Sequence, residues 1–257
     1  MKLSLLQTDI FWADKQANFD KTEKTLSSLS GTTDLVVLPE MFSTGFCTYR
    51  SDLAKTMDGE TVQTIMAWAI QFNLALTGSF IATENGKLYN RAFFITPDGE
   101  MTTADKRHLF SMGKEDEIFT AGNDKLMVHY KGLNIFILVC YDIRFPVWSR
   151  NVNNAYDLLI YVANFPHVRM PVWDTLLKAR AIENQAYVCG VNRVGTDGMQ
   201  LEYSGHSALL DAKGNEMLSF DEYEEGVKTT EISKTELDLF RQKFAVWKDA
   251  DRFELKN

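Results

Sequence analysis

The sequence predicts an α/β fold built on mixed sheets. Short apolar runs rich in β-branched residues alternate with amphipathic stretches, which favours strands followed by helices. Several neighbouring runs are joined by tight-turn dipeptides such as Asn85-Gly86 and Lys131-Gly132, so antiparallel pairs are expected beside parallel ones. No linker-like stretch lies between Ala54 and Phe220, and no short repeat is visible, so residues 1–257 are expected to form a single domain.

The periodicity places each element along the chain. The predicted strands cover residues 3–9, 35–39, 74–82, 89–95, 125–130, 133–140, 157–163, 186–194 and 205–211. The predicted helices cover residues 14–30, 61–72, 146–154, 171–184 and 234–243. The stretch FAVWKDADRFEL is apolar yet lies outside this pattern, so the tail of about residues 244–257 is expected to pack at an edge or on a partner subunit.

Composition and charge exclude several classes of protein. The formal net charge of -8 and the scarcity of clustered Lys and Arg argue against a nucleic-acid surface. No apolar stretch approaches the ~20 residues that span a bilayer, and the segment MKLSLLQTDIFWAD does not resemble a signal peptide, so no membrane partner is expected. The three cysteines are an odd number and are too widely spaced for a disulfide framework, which favours reduced thiols. Reduced thiols predict a cytoplasmic location.

Three predicted strands end on residues that can take part in chemistry. The runs DLVVLPE, NIFILVC and DLLIYVAN end on Glu40, Cys140 and Asn164. In open α/β sheets ligands bind beyond the carboxyl ends of the strands, because those ends converge on a crevice that the helices leave open. If the three strands are neighbours, a carboxylate, a thiol and an amide share one pocket.

Cys140 stands at the border between a buried strand and the polar segment YDIR. Free cysteine usually behaves as a small buried hydrophobe, so a structural role is the first interpretation. The polar border and the presence of a strand-end acid favour a nucleophile instead. A thiol of pKa ~8.5 is only a few per cent ionised at neutral pH, so such a nucleophile needs a base.

The histidines offer no clear base for Cys140. His129 lies in a predicted strand, His108 and His167 lie in polar segments, and His206 follows a glycine; we interpret all four as structural or solvent-facing. The spacings HxH, HExxH and CxxC are absent from the sequence, so no metal site is expected.

Glu40 is the other candidate base. Burying an unpaired carboxylate is costly, so a Glu that ends an apolar strand either has a partner or lies at a solvated loop start. Burial would raise its pKa towards the range that suits a general base. Lys106, in TADKRHLF, is by itself typical of a surface lysine.

Three separate segments together resemble a known family. The segments LPEMFSTGF, DKRHLF and VCYDIRFPVWSR resemble, in order, spacing and strand context, the signature segments of the nitrilase superfamily, the carbon–nitrogen hydrolases. The resemblance runs over nearly the whole chain. It implies a four-layer αββα sandwich of two mixed sheets, a homodimer, and hydrolysis without a metal or organic cofactor.

The resemblance also implies a role for individual residues. Glu40 is the general base, Lys106 the charge that stabilises the tetrahedral intermediate, and Cys140 the nucleophile. A second glutamate is expected in MGKEDEIFTAG, where Glu115 is the better match and Glu117 the alternative. The backbone N–H of Tyr141 would complete the oxyanion site together with Lys106.

Within the superfamily the chain most resembles the omega-amidase branch, through segments such as LLIYVANFP, ARAIENQAYVCGVNRVG and YSGHSALLDAKG. This resemblance implies a small ω-amido dicarboxylate as substrate, such as 2-oxoglutaramate or 2-oxosuccinamate. The far carboxylate of such a substrate needs a cation, and Arg144 is the first candidate, although buried Arg is often paired structurally. The other candidate pocket residues are Phe42, Phe46, Asn164, Phe165 and Trp173.

Several alternatives remain open at the level of sequence. Arg180 and Glu183, three residues apart in a predicted helix, could form an ordinary ion pair. Related amidases of the same chemistry are deaminated-glutathione amidase, N-carbamoyl amidohydrolase and aliphatic amidase. A papain-like thiol hydrolase would need a histidine partner. A non-catalytic binding or scaffold protein is the third alternative function, against which the presence of Glu40, Lys106 and Cys140 argues.

Overall fold

Fourteen strands and five helices make up the computed structural model of the chain, which describes residues 1–255. The strands are β1 (Lys2–Gln7), β2 (Leu35–Val37), β3 (Ala75–Glu84), β4 (Lys87–Ile95), β5 (Met101–Asp105), β6 (Leu126–Tyr130), β7 (Leu133–Val139), β8 (Leu158–Val162), β9 (Tyr187–Val191), β10 (Val194–Thr196), β11 (Glu202–Ser204), β12 (Ala208–Leu210), β13 (Glu216–Ser219) and β14 (Gly226–Glu231). The helices are α1 (Lys15–Leu29), α2 (Glu60–Phe72), α3 (Pro146–Ser149), α4 (Met170–Asn184) and α5 (Lys234–Lys243).

Two six-stranded sheets form the centre of the fold. The first has the order β14-β1-β2-β3-β4-β5 and the second the order β13-β12-β9-β8-β7-β6. In each sheet three strands run parallel, β1-β2-β3 and β7-β8-β9, and antiparallel strands flank them. Both sheets are therefore mixed, as predicted, and the parallel strands in each carry polar residues at their carboxyl ends.

Alternation along β2 shows how the layers pack. Leu35 and Val37 point into the core shared by the two sheets, whereas Val36 points to the opposite face and packs with residues of α1 and α2. Because β2 is covered on both faces, it reads as a continuous apolar run. Helix α4 packs on the far side of the second sheet, which completes the predicted αββα order of layers.

Gly190 in β9 allows α4 to approach the second sheet closely. A Cβ atom at this position would lie 2.6 Å from the side chain of Leu177 and 2.7 Å from that of Trp173. Both of these α4 side chains are at most 1% exposed. Overpacking of this kind costs about 1–3 kcal/mol, so the close approach needs glycine.

One predicted helix is shorter than expected. The expected helix 146–154 ends at Ser149, and a separate 3-10 turn covers Val152–Asn154. Asn153 and Asn154 have φ values of 54° and 53°. This left-handed conformation interrupts the helix, and asparagine tolerates it better than most residues.

Five strands lie outside the predicted strands, apart from one residue of β10, Val194, which ends the predicted strand 186–194. Strands β5, β10, β11, β13 and β14 are short or largely solvent-facing; β14, with the sequence GVKTTE, has no fully buried residue. The solvent-facing strands lack an apolar run because at most one of their faces meets the core, and three-residue strands are too short to give a periodic signal. The predicted strand 205–211 is correspondingly reduced to β12, preceded by Gly205 and His206 at positive φ.

The final segment contacts the rest of the domain but is largely exposed to solvent. A 3-10 turn covers Val246–Asp249, and the carbonyl of Phe244 accepts a hydrogen bond of 2.7 Å from Gln185. Phe244 and Phe253 are 59% and 46% exposed. The last two residues of the predicted tail, 256–257, lie outside the described part of the chain. Across residues 1–255, no helix has the length and apolar character needed to cross a bilayer.

Candidate active site

Four strand ends converge on one buried site. Glu40 follows β2, Lys106 follows β5, Cys140 follows β7 and Asn164 follows β8. Two of these strands belong to the first sheet and two to the second. The site therefore lies between the sheets at the carboxyl ends of their strands.

Lys106 lies between two buried carboxylates. Its Nζ is 3.0 Å from Oε1 of Glu40 and 2.9 Å from Oε2 of Glu115. Lys106 is 2% exposed and both glutamates are 0% exposed. Buried charges are tolerated only when they are paired and hydrogen-bonded, and here the cation is paired with both anions.

Glu115, and not Glu117, is the second acid of this cluster. Oε2 of Glu115 also accepts a hydrogen bond of 2.6 Å from the backbone N–H of Phe110. Glu117 is exposed to solvent. Lys114, which precedes this turn, adopts φ 58° and redirects the chain so that Glu115 enters the core.

Asn90, in the middle of β4, links the two carboxylates. Its Nδ2 donates to Oε1 of Glu40 at 2.7 Å and to Oε1 of Glu115 at 3.1 Å. Asn90 is not among the residues predicted from the sequence. The available signal was a polar amide within the predicted strand 89–95, two residues before the apolar run AFFI.

Cys140 occupies the junction between β7 and a 3-10 turn, Cys140–Arg144. Its φ of 47° is rare for a non-glycine residue and costs of order 1–3 kcal/mol, which the surrounding structure must offset. The residue is 8% exposed and its Sγ lies 3.8 Å from the carbonyl oxygen of Asn164. Cys47 and Cys189 are 0% exposed.

Burial and charge set the protonation states of the cluster. Burial raises the pKa of the Cys140 thiol well above its ordinary value, and the Glu40 carboxylate raises it further. Burial disfavours the charged form of Lys106, but Glu115 and Glu40 outweigh it and raise the pKa of the ammonium. Lys106 is therefore a cation at neutral pH, and the resting thiol keeps its proton until a base removes it.

The turn after Cys140 is fixed by hydrogen bonds from three directions. Oδ2 of Asp142 accepts from the N–H of Val139 at 3.1 Å, and Oδ1 accepts from the N–H of His108 at 3.0 Å. Arg180 forms an ion pair of 2.8 Å with Glu183, and its guanidinium also donates to the carbonyl of Ile143 at 2.6 Å. Because His108 lies two residues after Lys106, Asp142 links the lysine segment to the cysteine turn.

The histidines have partners away from the thiol. His108 stacks on Phe145 with ring centroids 3.7 Å apart and contacts Asp142. The remaining three, His129, His167 and His206, bond to Asn134, Ser204 and Asp174 respectively. The geometry offers no histidine base of the papain type to Cys140 within residues 1–255.

A cavity of about 260 Å³ opens onto Cys140. Six residues predicted from the sequence to form the site line its wall: Lys106, Tyr141, Arg144, Asn164, Phe46 and Phe165. Tyr141 is the second residue of the 3-10 turn, where a backbone N–H has no partner within the turn.

Two predicted pocket residues, Phe42 and Trp173, are corrected by the structure. Phe42 is 2% exposed and packs with Phe19, Trp68 and Phe93 in the core behind the first sheet. Trp173 is 0% exposed and donates its indole N–H to the carbonyl of His206 at 2.9 Å. Both aromatic rings belong to the packing that supports the cavity rather than to its wall.

The cavity contains two arginines, of which only Arg144 was predicted. The guanidinium of Arg144 lies 5.9 Å from the ring centre of Phe165, and that of Arg169 lies 4.9 Å from the ring centre of Phe110. Within residues 1–255 neither guanidinium has a carboxylate partner. Two cations held by aromatic faces are therefore available to an anionic ligand.

Asp197 is a buried acid at the cavity wall, and its carboxylate is fully hydrogen-bonded within its own loop. Its Oδ1 accepts from the N–H groups of Met199 and Leu201 at 2.8 and 3.0 Å, and its Oδ2 accepts from the hydroxyl of Tyr203 at 2.8 Å. This loop could not be predicted from the sequence, because polar loop residues carry no periodic signal. Its carboxylate holds Met199 and Leu201 at the cavity wall.

Comparison with known proteins agrees with this geometry. The family model described as carbon-nitrogen hydrolase matches residues 2–242. The chain is 42% identical over 256 residues to omega-amidase YafV of Escherichia coli strain K12, with 99% of this chain and 98% of the relative covered. It is 31% identical over 251 residues to a 2-oxoglutaramate amidase of Bacillus subtilis strain 168, with 96% of each covered.

A crystal structure of a CN-hydrolase superfamily protein from Xanthomonas campestris, with an arsenic adduct in the active site, aligns with a TM-score of 0.97. It is 42% identical in sequence, and the alignment covers 100% of this chain and 99% of that one. The predicted resemblance to the omega-amidase branch of the nitrilase superfamily is thus confirmed. The chain belongs to the carbon-nitrogen hydrolase family, whose members are hydrolases acting on carbon–nitrogen bonds.

Proposed function

We propose that this chain is a cysteine-dependent amidase that hydrolyses the terminal amide of small ω-amido dicarboxylates, such as 2-oxoglutaramate or 2-oxosuccinamate, to the acid and ammonia. The observation that carries the proposal is the buried contact of Lys106 with Glu40 and Glu115 beside a cavity that Cys140 lines. Buried ionisable groups with perturbed pKa values beside a cavity are typical of functional sites.

The first half of the reaction forms a thioester. Glu40 takes the proton from the Cys140 thiol as Sγ attacks the amide carbonyl, so no free thiolate has to accumulate. The ammonium of Lys106 and the N–H of Tyr141 stabilise the oxyanion; a single donor of this kind contributes about 3–4 kcal/mol. Glu40 then returns the proton to the leaving nitrogen, and ammonia departs as the C–N bond breaks.

The second half consumes the thioester. Glu40, again a carboxylate, removes a proton from a water molecule that attacks the thioester carbonyl. The same two donors hold the second oxyanion, and the C–S bond breaks as Cys140 regains a proton. Glu115 keeps Lys106 charged and oriented through both halves, since it contacts the ammonium at 2.9 and 3.1 Å. No step draws on a metal ion or an organic cofactor.

The two arginines support the assignment of substrate class. A small amide with a carboxylate at its far end would bring its amide to Cys140 and its carboxylate to Arg144 or Arg169. A charge-assisted hydrogen bond to a carboxylate is the stronger kind, and Arg offers it in a bidentate geometry. Similarity to an omega-amidase at 42% identity and to a 2-oxoglutaramate amidase at 31% identity supports the same substrate class.

Deaminated glutathione, N-carbamoyl compounds and aliphatic amides are alternative substrates, because amidases that act on them would use the same buried cluster around Lys106. A non-catalytic scaffold is disfavoured because burying Lys106 with two carboxylates costs desolvation free energy that well-packed apolar residues would not cost, and a scaffold gains nothing from it.

Ammonia release from a panel of amides tests the proposal. The purified protein should hydrolyse 2-oxoglutaramate or 2-oxosuccinamate with a higher kcat/KM than glutamine, asparagine or a neutral aliphatic amide. If kcat/KM for the 2-oxo-ω-amides is no higher than for neutral amides, the proposed substrate class is wrong and only the assignment as an amidase stands. If no amide releases ammonia, the amidase assignment is wrong.

A further inference from the structure

Trp12 packs against two loops of the cavity wall without lining the cavity itself. The first, loop 45–49, and the second, loop 197–201, contribute six residues to the wall: Phe46, Thr48, Tyr49, Asp197, Met199 and Leu201. Tyr49 of the first loop and Met199 of the second are exposed to solvent. Both loops therefore reach the mouth of the cavity, and the half-buried Trp12 is in a position to hold them.

The indole of Trp12 fits between two glycines, one from each loop. A Cβ atom at Gly45 would lie 3.2 Å from Cε3 of the indole. A Cβ atom at Gly198 would overlap Nε1 and Cδ1 of the same ring and lie 2.6 Å from Cε2. Gly198 is not in the left-handed region of backbone conformation, so the close approach of the indole is what requires glycine there.

Hydrogen bonds also join Trp12 and its neighbour to the first loop. Nε1 of Trp12 donates to the hydroxyl of Tyr49 at 3.3 Å, and the centres of the two rings lie 6.3 Å apart. The backbone N–H of Ala13 donates to the carbonyl of Thr44 at 2.9 Å. Because Thr44 immediately precedes loop 45–49, the indole and the backbone of this segment hold the loop at the same place.

Internal hydrogen bonds make loop 197–201 one rigid unit. The backbone N–H of Asp197 donates to the carbonyl of Leu201 at 3.0 Å, and the carboxylate of Asp197 accepts from the N–H groups of Met199 and Leu201. The contact of the indole with Gly198 therefore positions the two apolar side chains that this loop places at the cavity wall.

We propose that Trp12 is a positioning residue that fixes loops 45–49 and 197–201 against each other and so sets the width of the mouth of the cavity that opens onto Cys140. The inference rests on the proposed amidase function and deepens it, because the mouth decides which amides reach the thiol. Trp12 makes no hydrogen bond to the buried cluster around Lys106 within residues 1–255. Its loss should therefore weaken substrate binding more than the chemical step.

Gly198→Ala tests the contact by adding a single methyl group. The methyl group displaces either the indole or loop 197–201, so KM for 2-oxoglutaramate should rise about tenfold, the lower limit for one methylene in an apolar pocket, while kcat changes little. Trp12→Leu should have the same effect because it removes the indole. In the double variant the methyl group occupies space that the indole has left, so KM should be no higher than in Trp12→Leu alone.

Gly226→Ala is the matched control. Gly226 is the first residue of β14 and does not line the cavity, and a Cβ atom there would meet no other atom within 4 Å. This variant should keep the KM and kcat of the unmodified protein. Thermal unfolding checks that each variant folds. If Trp12→Leu does not fold, Trp12→Phe, which keeps an aromatic ring but loses Nε1, takes its place.

Alkylation of Cys140 measures access through the mouth without any turnover. Cys47 and Cys189 are fully buried, so Cys140 should react first. The rates of modification by iodoacetamide and by the bulkier N-benzylmaleimide are followed by the mass of the peptide that contains Cys140. The ratio of the maleimide rate to the iodoacetamide rate should rise severalfold in both single variants and stay unchanged in the glycine control.

The outcomes separate this inference from the proposed function. A higher KM and a higher alkylation ratio in both single variants, without additivity in the double variant, support the role of Trp12. An unchanged KM and ratio in either single variant, a loss confined to kcat, or full additivity in the double variant overturns it. If the unmodified protein releases ammonia from no amide, the proposed amidase function is wrong, and the alkylation ratio alone still decides the role of Trp12.

Discussion

The backbone N–H of Asn164 lies 2.8 Å from Oε2 of Glu40, and this contact joins the end of β8 in one sheet to the end of β2 in the other. The two residues are 124 positions apart in sequence. The geometry of the base therefore depends on how the sheets pack. Substitutions in the core between the sheets are expected to lower activity before they unfold the protein, since a shift of about 1 Å at a reacting group can cost a hundredfold in rate.

Glu115→Gln should lower kcat on the order of 100-fold and change KM little, a loss comparable to that of one oxyanion donor. Glutamine removes the negative charge that raises the pKa of Lys106 and places an NH₂ group or a weaker acceptor against the ammonium. Steady-state kinetics of ammonia release measure the effect. Glu117→Gln, two residues away on an exposed position, is the control and should keep nearly full activity. Equal, mild losses in the two variants would show that Glu115 is not required.

Arg144→Gln should raise KM for 2-oxoglutaramate about 10- to 100-fold, the loss of a charge-assisted hydrogen bond to its carboxylate. A neutral aliphatic amide should be affected much less, because it has no carboxylate to bind. Arg169→Gln tests the second cation in the same way and shows which of the two binds the carboxylate. Parallel losses for both substrates, together with a lower melting temperature, would show a structural role for the arginine instead.

Cys47 should make the protein less stable in alkaline solution. Burial raises the pKa of its thiol from 9.0 to about 12. Between pH 9.0 and about 12 the Cys47 thiol has lost its proton in the unfolded chain but keeps it in the native chain. The free energy of unfolding therefore falls as pH rises, by up to about 1.4 kcal/mol per pH unit. In Cys47→Ala the free energy of unfolding, measured with urea from pH 9 upwards, should fall less steeply. Thr48→Ala, at a neighbouring buried position without an ionisable group, should keep the original slope.

The apolar tail leads us to predict a homodimer. Phe253 and Leu255 are 46% and 38% exposed, and a second copy of the chain would cover them. Light scattering at micromolar concentration should give the mass of a dimer. The double substitution Phe253→Ser and Leu255→Ser should weaken the dimer, whereas Ile70→Ser, an exposed apolar residue on α2, should not. A stable monomer of the unmodified protein would contradict the prediction.

The central strands were predictable from sequence because both of their faces are covered. The runs that became β2, β7 and β8 are buried throughout or nearly so, and a continuous apolar run is a strong local signal. β5 and β14 gave no such signal because much of their surface meets solvent. Lys106 follows β5, which explains why the residues around it looked like an exposed segment.

The walls of the cavity were less predictable than the reacting groups. Phe42 and Phe46 lie four residues apart in one loop, yet the first packs in the core and the second lines the cavity. Local sequence does not distinguish them, because the difference arises from tertiary packing. Arg169 lies at the start of α4, where an exposed arginine is ordinary, and only the position of Phe110 shows that it faces the cavity.

The most direct test of the account is an acid-quenched mass measurement of the protein during turnover of 2-oxoglutaramate. We predict one covalent adduct with the mass of the 2-oxoglutaryl group, located on the peptide that contains Cys140, together with an initial release of ammonia. Cys140→Ala should remain folded and show neither adduct nor ammonia. Cys189→Ala, at a buried cysteine that does not line the cavity, should retain both. Ammonia release without an adduct, retained by Cys140→Ala, would contradict nucleophilic catalysis by this cysteine.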